Sequence, residues 1–338
     1  MAKIKLVHVD TLSCETILRI APNGDLLILA QCGDVREPAP KNREYIFRST
    51  DGGETWSDGV SVYPEDGNAV YATEMWVHDG VIDLFLVTHN GYFGNAKTFV
   101  VRSTDNGATF EKIFDYEWDG LLFIRSVIEL SNGKIAMAFQ RYRFAPSENV
   151  VNYGEKGVKM NFDVKKVENG LYIYDEFPGK CTESKSVDFY MEMNGKLYWK
   201  WTEPTVTELS DGTIVMLFRV DGEGYLYESR SSDGGINWSE PVKTSLKNPG
   251  NKPKLIRMTD GRIALINTFN SRHGFRGRKP LSVWISTDDM KTWGYKKDVV
   301  DYDGWLSYPD GVESEDGKHI LFAFEFNRHD TYFVDHTI

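Results

Sequence analysis

A chain of 338 residues with 41% hydrophobic and 13% aromatic residues is long enough to bury a large core, as one large all-β domain or two ordinary ones. Its net charge of −11 argues against nucleic acid as a partner, because a phosphate binder shows a basic face, while a local arginine cluster leaves an acidic small ligand open. No segment reaches the roughly 18–20 apolar residues of a membrane helix, and the start, MAKIKLVHVD, lacks the features of a secretory signal, so no membrane partner is expected and the sequence reads as cytoplasmic. Cys14, Cys32 and Cys181 are an odd number at no metal-ligand spacing and read as free thiols. The seven histidines form no HExxH-like cluster, so neither a metal nor a cofactor is expected.

From the N-terminus, KIKLVHV (residues 3–9) reads as a strand, and six similar hairpins follow it. Their turns are APNGD (Gly24), VHDG (Gly80), LSNGK (Gly133), LSDGT (Gly212), MTDGR (Gly261) and SEDGK (Gly317). Asn-Gly and Asp-Gly suit two-residue hairpin turns, in which both central residues take positive φ. Each turn leads into an apolar run (DLLILAQ, VIDLFLV, KIAMAFQ, TIVMLFR, RIALINT, KHILFAFE) continuous enough for a strand buried on both faces. Successive turn glycines lie 49 to 79 residues apart, room for four strands per unit. The expected fold is therefore an all-β, six-bladed β-propeller forming a single domain over residues 1–338. The last unit is short, so residues 3–9 are expected to supply its outer strand and close the ring without an exposed edge. The third unit is enlarged by about residues 143–200, read as strands that cover the pocket or meet another subunit in a homo-oligomer.

A second repeat runs through the first. RSTDGGETWSD (48–58), RSTDNGATFEK (102–112), SSDGGINWSE (231–240) and ISTDDMKTWGY (285–295) occur in units one, two, four and five, between the third and fourth strands. Asp51, Asp105, Asp233 and Asp288 can accept the amides of their own turns, and Trp56, Phe110, Trp238 and Trp293 can pack between strands. These boxes are read as fold staples rather than as calcium or sugar ligands.

Chemistry is expected at the opposite end. Nine residues before each turn glycine stand Glu15, Tyr71, Ile124 (beside Arg125), Glu203, Lys252 and Tyr308. Seven after it stand Gln31, Val87, Gln140 (beside Arg141), Arg219, Thr268 and Phe324 (beside Glu325). Polar residues at the ends of apolar strands around one axis make a candidate ligand pocket. The LVTHNGYFGN loop, with His89, Tyr92 and Phe93, is a second contributor, and Arg143 in the insert another.

WTEPTVTELSDGTIVMLFR, the repeated boxes and the order of polar positions resemble the bacterial sialidases along most of the chain. The resemblance implies a glycan substrate, a tyrosine nucleophile at Tyr308 (LSYPDG), Glu203 to polarise it, and clamp arginines at Arg219 and Arg278 (FRGRKP). A neutral nucleophile avoids driving an anion against the substrate carboxylate, and arginines hold that carboxylate through charge-assisted hydrogen bonds. The general acid maps to the loop CGDVREPAPKNREYIF, at Glu37, with Asp34 as the alternative. The first clamp arginine is missing, since SCETIL places Cys14 or Glu15 there. Glu15 could instead bond sugar hydroxyls or partner Glu203 as an acid/base couple. The expected function is a retaining exo-glycosidase for an acidic sugar. The alternatives are an exo-glycosidase or lyase of the same fold on a neutral sugar or uronate, and a glycan-binding propeller without catalysis. Glu203 with Arg219 as a plain buried ion pair, and Tyr308 as an inner-strand aromatic, are the purely architectural counterparts.

Overall fold

The computed structural model describes residues 2–144, 164–193, 196–272 and 274–338. Six four-stranded antiparallel sheets surround an axis. β1 (Lys3–Val9) precedes the first sheet, which is β2 (Ser13–Ile20), β3 (Leu26–Cys32), β4 (Arg43–Ser49) and β5 (Val60–Ser61). The second is β6 (Ala69–His78), β7 (Val81–His89), β8 (Lys97–Ser103) and β9 (Glu111–Asp115). The third is β10 (Leu121–Glu129), β11 (Ile135–Phe144), β12 (Val164–Tyr174) and β13 (Cys181–Glu183), followed by a separate hairpin, β14 (Tyr190–Met193) and β15 (Lys196–Trp199). The fourth is β16 (Thr202–Glu208), β17 (Ile214–Val220), β18 (Tyr225–Ser231) and β19 (Val242–Lys247). β20 (Lys254–Arg257), β21 (Ile263–Asn267), β22 (Leu281–Ser286) and β23 (Tyr295–Val300) form the fifth. In the sixth, β24 (Leu306–Glu313), β25 (His319–Phe326) and β26 (Asp330–Thr337) are joined by β1, which pairs antiparallel with β26. The architecture is a six-bladed propeller; of the enlargement expected over 143–200, residues 145–163 and 194–195 lie outside the described residues.

The first strand of every blade is innermost, and these six strands touch one another around the axis. The second strands run between neighbouring blades, which is why β3 and β17 are buried at every residue. The turns behave differently from the two-residue expectation. Only Asp79–Gly80 has positive φ at both central positions. At the other five the glycine alone is left-handed, and its N–H bonds three residues back, as Gly24 to Ala21 at 2.9 Å. A type I turn closed by a left-handed glycine gives the longer hairpin loop, so the Asx residue caps the turn from a right-handed conformation.

The boxes act as staples between blades. In each, the serine hydroxyl accepts the N–H four residues on, at 2.8–3.0 Å from Gly53, Gly107, Gly235 and Met290. The aspartate accepts the N–H of Thr55, Thr109, Asn237 or Thr292 at 2.8–2.9 Å. The tight turn then leans on the preceding blade. Gly53 and Trp56 cover Phe333 of blade six, Phe110 joins Leu27 and Ile46 of blade one, Gly235 faces Leu171 of blade three, and Met290 packs with Leu209 of blade four. Blade three has no box, and Phe177 fills the same seam against Trp76 and Phe85 of blade two.

With the first and second strands joined at the box end, the described loops between second and third strands emerge at the other end. That end carries the polar positions.

Candidate active site

The axis opens there into a pocket of about 190 Å³. Its floor comes from innermost strands: Glu15 on β2, Tyr71 on β6, Arg125 on β10, Glu203 on β16 and Tyr308 on β24, with Arg219 from β17. Its walls come from the loops between second and third strands, which supply Glu37, Phe93, Asp221, Phe275, Arg278 and Arg328, and from Trp201 just before β16.

Tyr308 occupies the centre. Its hydroxyl donates to Glu203 Oε1 at 3.2 Å and accepts from Arg219 Nη1 at 2.8 Å. Arg219 also pairs with the other oxygen of Glu203, and its Nε and Nη2 bond Asp221 at 3.1 and 2.8 Å. Arg125 bridges the floor, 3.5 Å from Glu203 and 3.7 Å from Glu15, and donates to Tyr71 Oη at 3.0 Å. Arg278 is fixed by Ser307 Oγ at 3.0 Å and the Gly250 carbonyl at 2.7 Å, with its guanidinium 5.5 Å from the Tyr308 ring centre. Arg328, from the β25–β26 turn, pairs with Glu37 and lies 3.3 Å from Cys14 Sγ.

Among the described residues, two within strands have left-handed backbones, Glu15 at φ 55° and Tyr308 at φ 50°. Both sit where their inner strand bulges against its partner, between Cys14 and Ile17 and between Ser307 and Asp310. Such conformations cost about 1–3 kcal/mol each and persist where surroundings over-determine them. The Glu15 N–H donates to Glu325 Oε2 at 2.9 Å, the Tyr308 N–H to Asn251 Oδ1 at 3.1 Å, and Thr16 Oγ1 to the Tyr308 carbonyl at 3.0 Å. The bulges turn both side chains toward the axis.

The environments push the acids apart. Burial raises Glu203, yet Arg219 and Arg125 outweigh it and hold the carboxyl down at about 2. Burial and the charge of Glu37 push Glu15 up to about 7 against the pull of Arg125. Glu37 is raised by burial and opposed by Arg328. Burial drives the Tyr308 phenol well above its usual range, so the group is neutral until its proton has somewhere to go.

Nine of the sequence-derived residues meet in this pocket: Tyr308, Glu203, Glu37, Arg219, Arg278, Glu15, Arg125, Tyr71 and Phe93. Others fall elsewhere, among them Arg143, which pairs with Glu168 at 3.2 Å. Asp34 is a turn residue whose carboxylate caps its neighbour Val35 at 2.8 Å, which takes it out of the lining. Arg141 is spent on Glu168 and Glu183 at 3.3 and 2.6 Å and stacks over Trp118, because one step along β11 from Gln140 turns the side chain to the flank of blade three. His89 folds inward and its Nδ1 accepts the N–H groups of Gly91 and Phe93 at 3.0 and 3.3 Å, so it shapes the loop that delivers Phe93. Lys252 is buried behind the lining, its charge felt by Glu15, Glu203 and Asp310.

Sequence reasoning missed Arg328, Asp221, Trp201 and Phe275. For three of them the signal was the loop class: Asp221, Phe275 and Arg328 lie on connections between a second and a third strand, including the short FNRHD turn of the last blade. Among the described residues, His8, Asp10 and Cys32 bring possible metal ligands within 4.8 Å of one another, away from the pocket. Asp10 there accepts the Thr11 and Gly33 N–H groups at 2.6 and 3.1 Å, and burial pushes the Cys32 thiol to about 12, which suits a hydrogen-bonded turn.

Comparison with known proteins follows the same lines. A family model described as a BNR repeat-like domain matches residues 44–320. A protein of unknown function from Dyadobacter fermentans superposes with TM-score 0.72 at 18% identity, over 100% of this chain and 99% of its own. The Hadza microbial sialidase Hz136 superposes with TM-score 0.72 at 16% identity, over 97% of this chain and 66% of its own. The Trypanosoma rangeli sialidase bound to the inhibitor DANA gives TM-score 0.67 at 15% identity, over 97% of this chain and 55% of its own. This chain thus spans only about half to two thirds of those two sialidases. No curated protein matches it in sequence. At such identities the likeness is one of fold, a sialidase-like propeller, while the family match covers most of the length: the chain belongs to the BNR repeat-like family.

Proposed function

We propose that the protein is a retaining exo-glycoside hydrolase that removes a terminal acidic sugar, with Tyr308 as nucleophile and Glu203 as the base that takes its proton. One observation carries the reading: a buried phenol hydrogen-bonded at once to a carboxylate held ionised and to a guanidinium, at the floor of a pocket on the propeller axis. As the phenol attacks the anomeric carbon its proton moves to Glu203, and Arg219 steadies both oxygens through the transfer. The pocket volume, about 190 Å³, is below the ~300–1,000 Å³ of drug-sized ligand sites. A single end unit suits it better than an internal stretch of glycan.

The cationic wall supports an anionic sugar. Arg219 has four of its five N–H groups engaged, which leaves one for substrate. Arg278 and Arg328 therefore carry most of any carboxylate binding. Glu15, where the resemblance places an arginine, is the feature that favours the second reading, a neutral sugar or uronate handled by the same fold.

The test is a panel of chromogenic glycosides of sialic, ketodeoxy and uronic acids, arabinofuranose and rhamnose. A fluorinated analogue of the accepted sugar is expected to leave a covalent mass increment on the Tyr308 peptide. Tyr308→Phe is expected to abolish turnover and labelling while retaining product binding. Full activity in that variant rejects the nucleophile. Binding by the wild-type protein without turnover of any glycoside moves the assignment to a glycan-binding propeller.

A further inference from the structure

We propose that Glu15 is the proton donor to the leaving-group oxygen and the base that later activates water, a role that rests on the glycosidase reading above. The pocket offers three carboxyls besides Glu203. Asp221 is held by Arg219 Nε and Nη2 at 3.1 and 2.8 Å, and the surroundings of Glu15 and Glu37 differ. Glu37 is latched to Arg328, and a carboxyl sharing its oxygen with a guanidinium gives up that contact whenever it takes a proton. Glu15 has no such latch. Among the described residues the cation that pairs with it, Arg125, stands off at 3.7 Å and is shared with Glu203 and Tyr71. Glu15 lies 4% exposed, on the floor beside Tyr308, and among the surrounding acids its charge acts most strongly on the Tyr308 phenol.

Backbone geometry points the same way. Among the described residues, Glu15 and Tyr308 are the two in-strand residues with left-handed φ, both at inner-strand bulges of adjacent blades, and both are tied down through their N–H groups. A lone buried acid of purely architectural use would need no such aim. The separation of proton affinities, Glu203 ionised and Glu15 protonated up to about 7, is the pattern that assigns base and acid within one site.

The steps balance. Tyr308 Oη bonds to the anomeric carbon as its proton passes to Glu203. The glycosidic C–O bond breaks, and the departing oxygen takes the Glu15 proton. Water then attacks the anomeric carbon and gives one proton to Glu15, and the released phenolate recovers its own from Glu203. No oxidant or further reactant is needed.

The experiment compares wild type, Glu15→Gln and Glu37→Gln on aryl glycosides of the accepted sugar whose phenol leaving groups range from strongly to weakly acidic. A lost general acid costs about 10²–10⁴-fold, but only where the leaving group needs a proton. Glu15→Gln is expected to fall by that factor on weakly acidic phenols and to change little in bond cleavage for dinitrophenol, whereas Glu37→Gln loses evenly across the series. The graded pattern in Glu37→Gln with an even loss in Glu15→Gln overturns the proposal and makes Glu37 the acid. A second readout needs no substrate. Infrared difference spectra below pH 7 are expected to contain a protonated-carboxyl band that Glu15→Gln removes and Glu37→Gln retains, and absence of that band overturns the proposal. Failure of the wild type to cleave any glycoside while the band is present instead sinks the hydrolase reading on which the role depends. Glu15→Asp, which keeps an acid on the same backbone, is expected to recover part of the activity on weakly acidic phenols, as a merely structural role would not allow.

Discussion

The carboxyls around Tyr308 make opposite demands on pH. Glu203 stays ionised down to about 2, whereas Glu15 holds its proton up to about 7. The productive combination, Glu203 charged and Glu15 neutral, therefore exists between these values. Turnover is expected to fall on the alkaline side with a midpoint near 7, and the Glu15→Gln variant, which has nothing to deprotonate, is expected to lose that limb in a pH–rate profile. Stability follows the same groups through linkage. A carboxyl raised from 4.5 to about 7 binds its proton more tightly in the folded state, so its contribution is complete below 4.5 and is lost as pH rises to about 7. Glu203, depressed to about 2, contributes above 4.5 and loses that contribution as pH falls toward 2. Denaturant midpoints of Glu15→Gln against wild type are expected to converge in acid and to favour the variant near neutrality. The opposite order would mean that Glu15 is charged in the folded protein.

At the level of the element, the hairpin and the box divide the work, and their glycines should answer differently to the same substitution. A side chain at Gly24 meets nothing within 4 Å, so Gly24→Ala carries only the left-handed backbone cost of about 1–2 kcal/mol. At Gly53 the added carbon would lie 2.2 Å from the Phe333 ring, which adds an overpacking cost of about 1–3 kcal/mol to the same backbone term. Gly53→Ala is thus expected to show the larger drop in urea midpoint. Equal drops would argue that the box does not bear on blade six. These elements were legible in the sequence because each depends on local chemistry: a turn needs Asx-Gly, a staple needs Ser and Asp at fixed spacing, and an inner strand needs a long apolar run. The floor of the site was legible for the same reason, since counting from turn glycines finds Glu203 and Arg219 on a strand pair that keeps its register, and Glu15 and Tyr308 at the bulges of their inner strands. Residues on loops escape that count. Arg328 comes from a three-residue turn, Phe275 and Arg278 from a long connection, and only the family resemblance flagged Arg278. Arg141 was misplaced because side chains alternate along a strand: one step from Gln140, which bonds Arg125, its side chain reaches Glu168 and Glu183 on the flank of blade three.

The ring as a whole is tied across its axis by charge as well as by strand pairing. Beyond the pocket end, Arg19 on β2 pairs with both Glu74 on β6 and Asp310 on β24, while Lys254 on β20 lies 3.0 Å from Asp310 and 3.7 Å from Glu74. Four side chains from blades one, two, five and six thus close one buried network, with Arg19 also donating to the Met75 carbonyl at 2.7 Å. Burial raises Asp310, but Arg19 and Lys254 prevail and hold it at about 2. A buried network adds little over a well-packed apolar core, yet removing one member leaves the others uncompensated, at about 3–5 kcal/mol. Arg19→Met keeps the stem and deletes the charge, leaving Glu74 and Asp310 to share Lys254. It is expected to lower the unfolding midpoint by an amount of that order and to move acid sensitivity upward in pH, because a less stabilised Asp310 takes a proton sooner. Asp310 is two residues from Tyr308 on the same bulged strand, so the network also sets the base on which the Tyr308 hydroxyl is presented. The variant should consequently lose turnover more than sugar binding as temperature rises, since a loosened β24 disturbs the Tyr308–Glu203 contact before it disturbs the arginine wall. Stability and turnover both unchanged in Arg19→Met would show that strand pairing alone holds the ring, and that the axial charges are passengers.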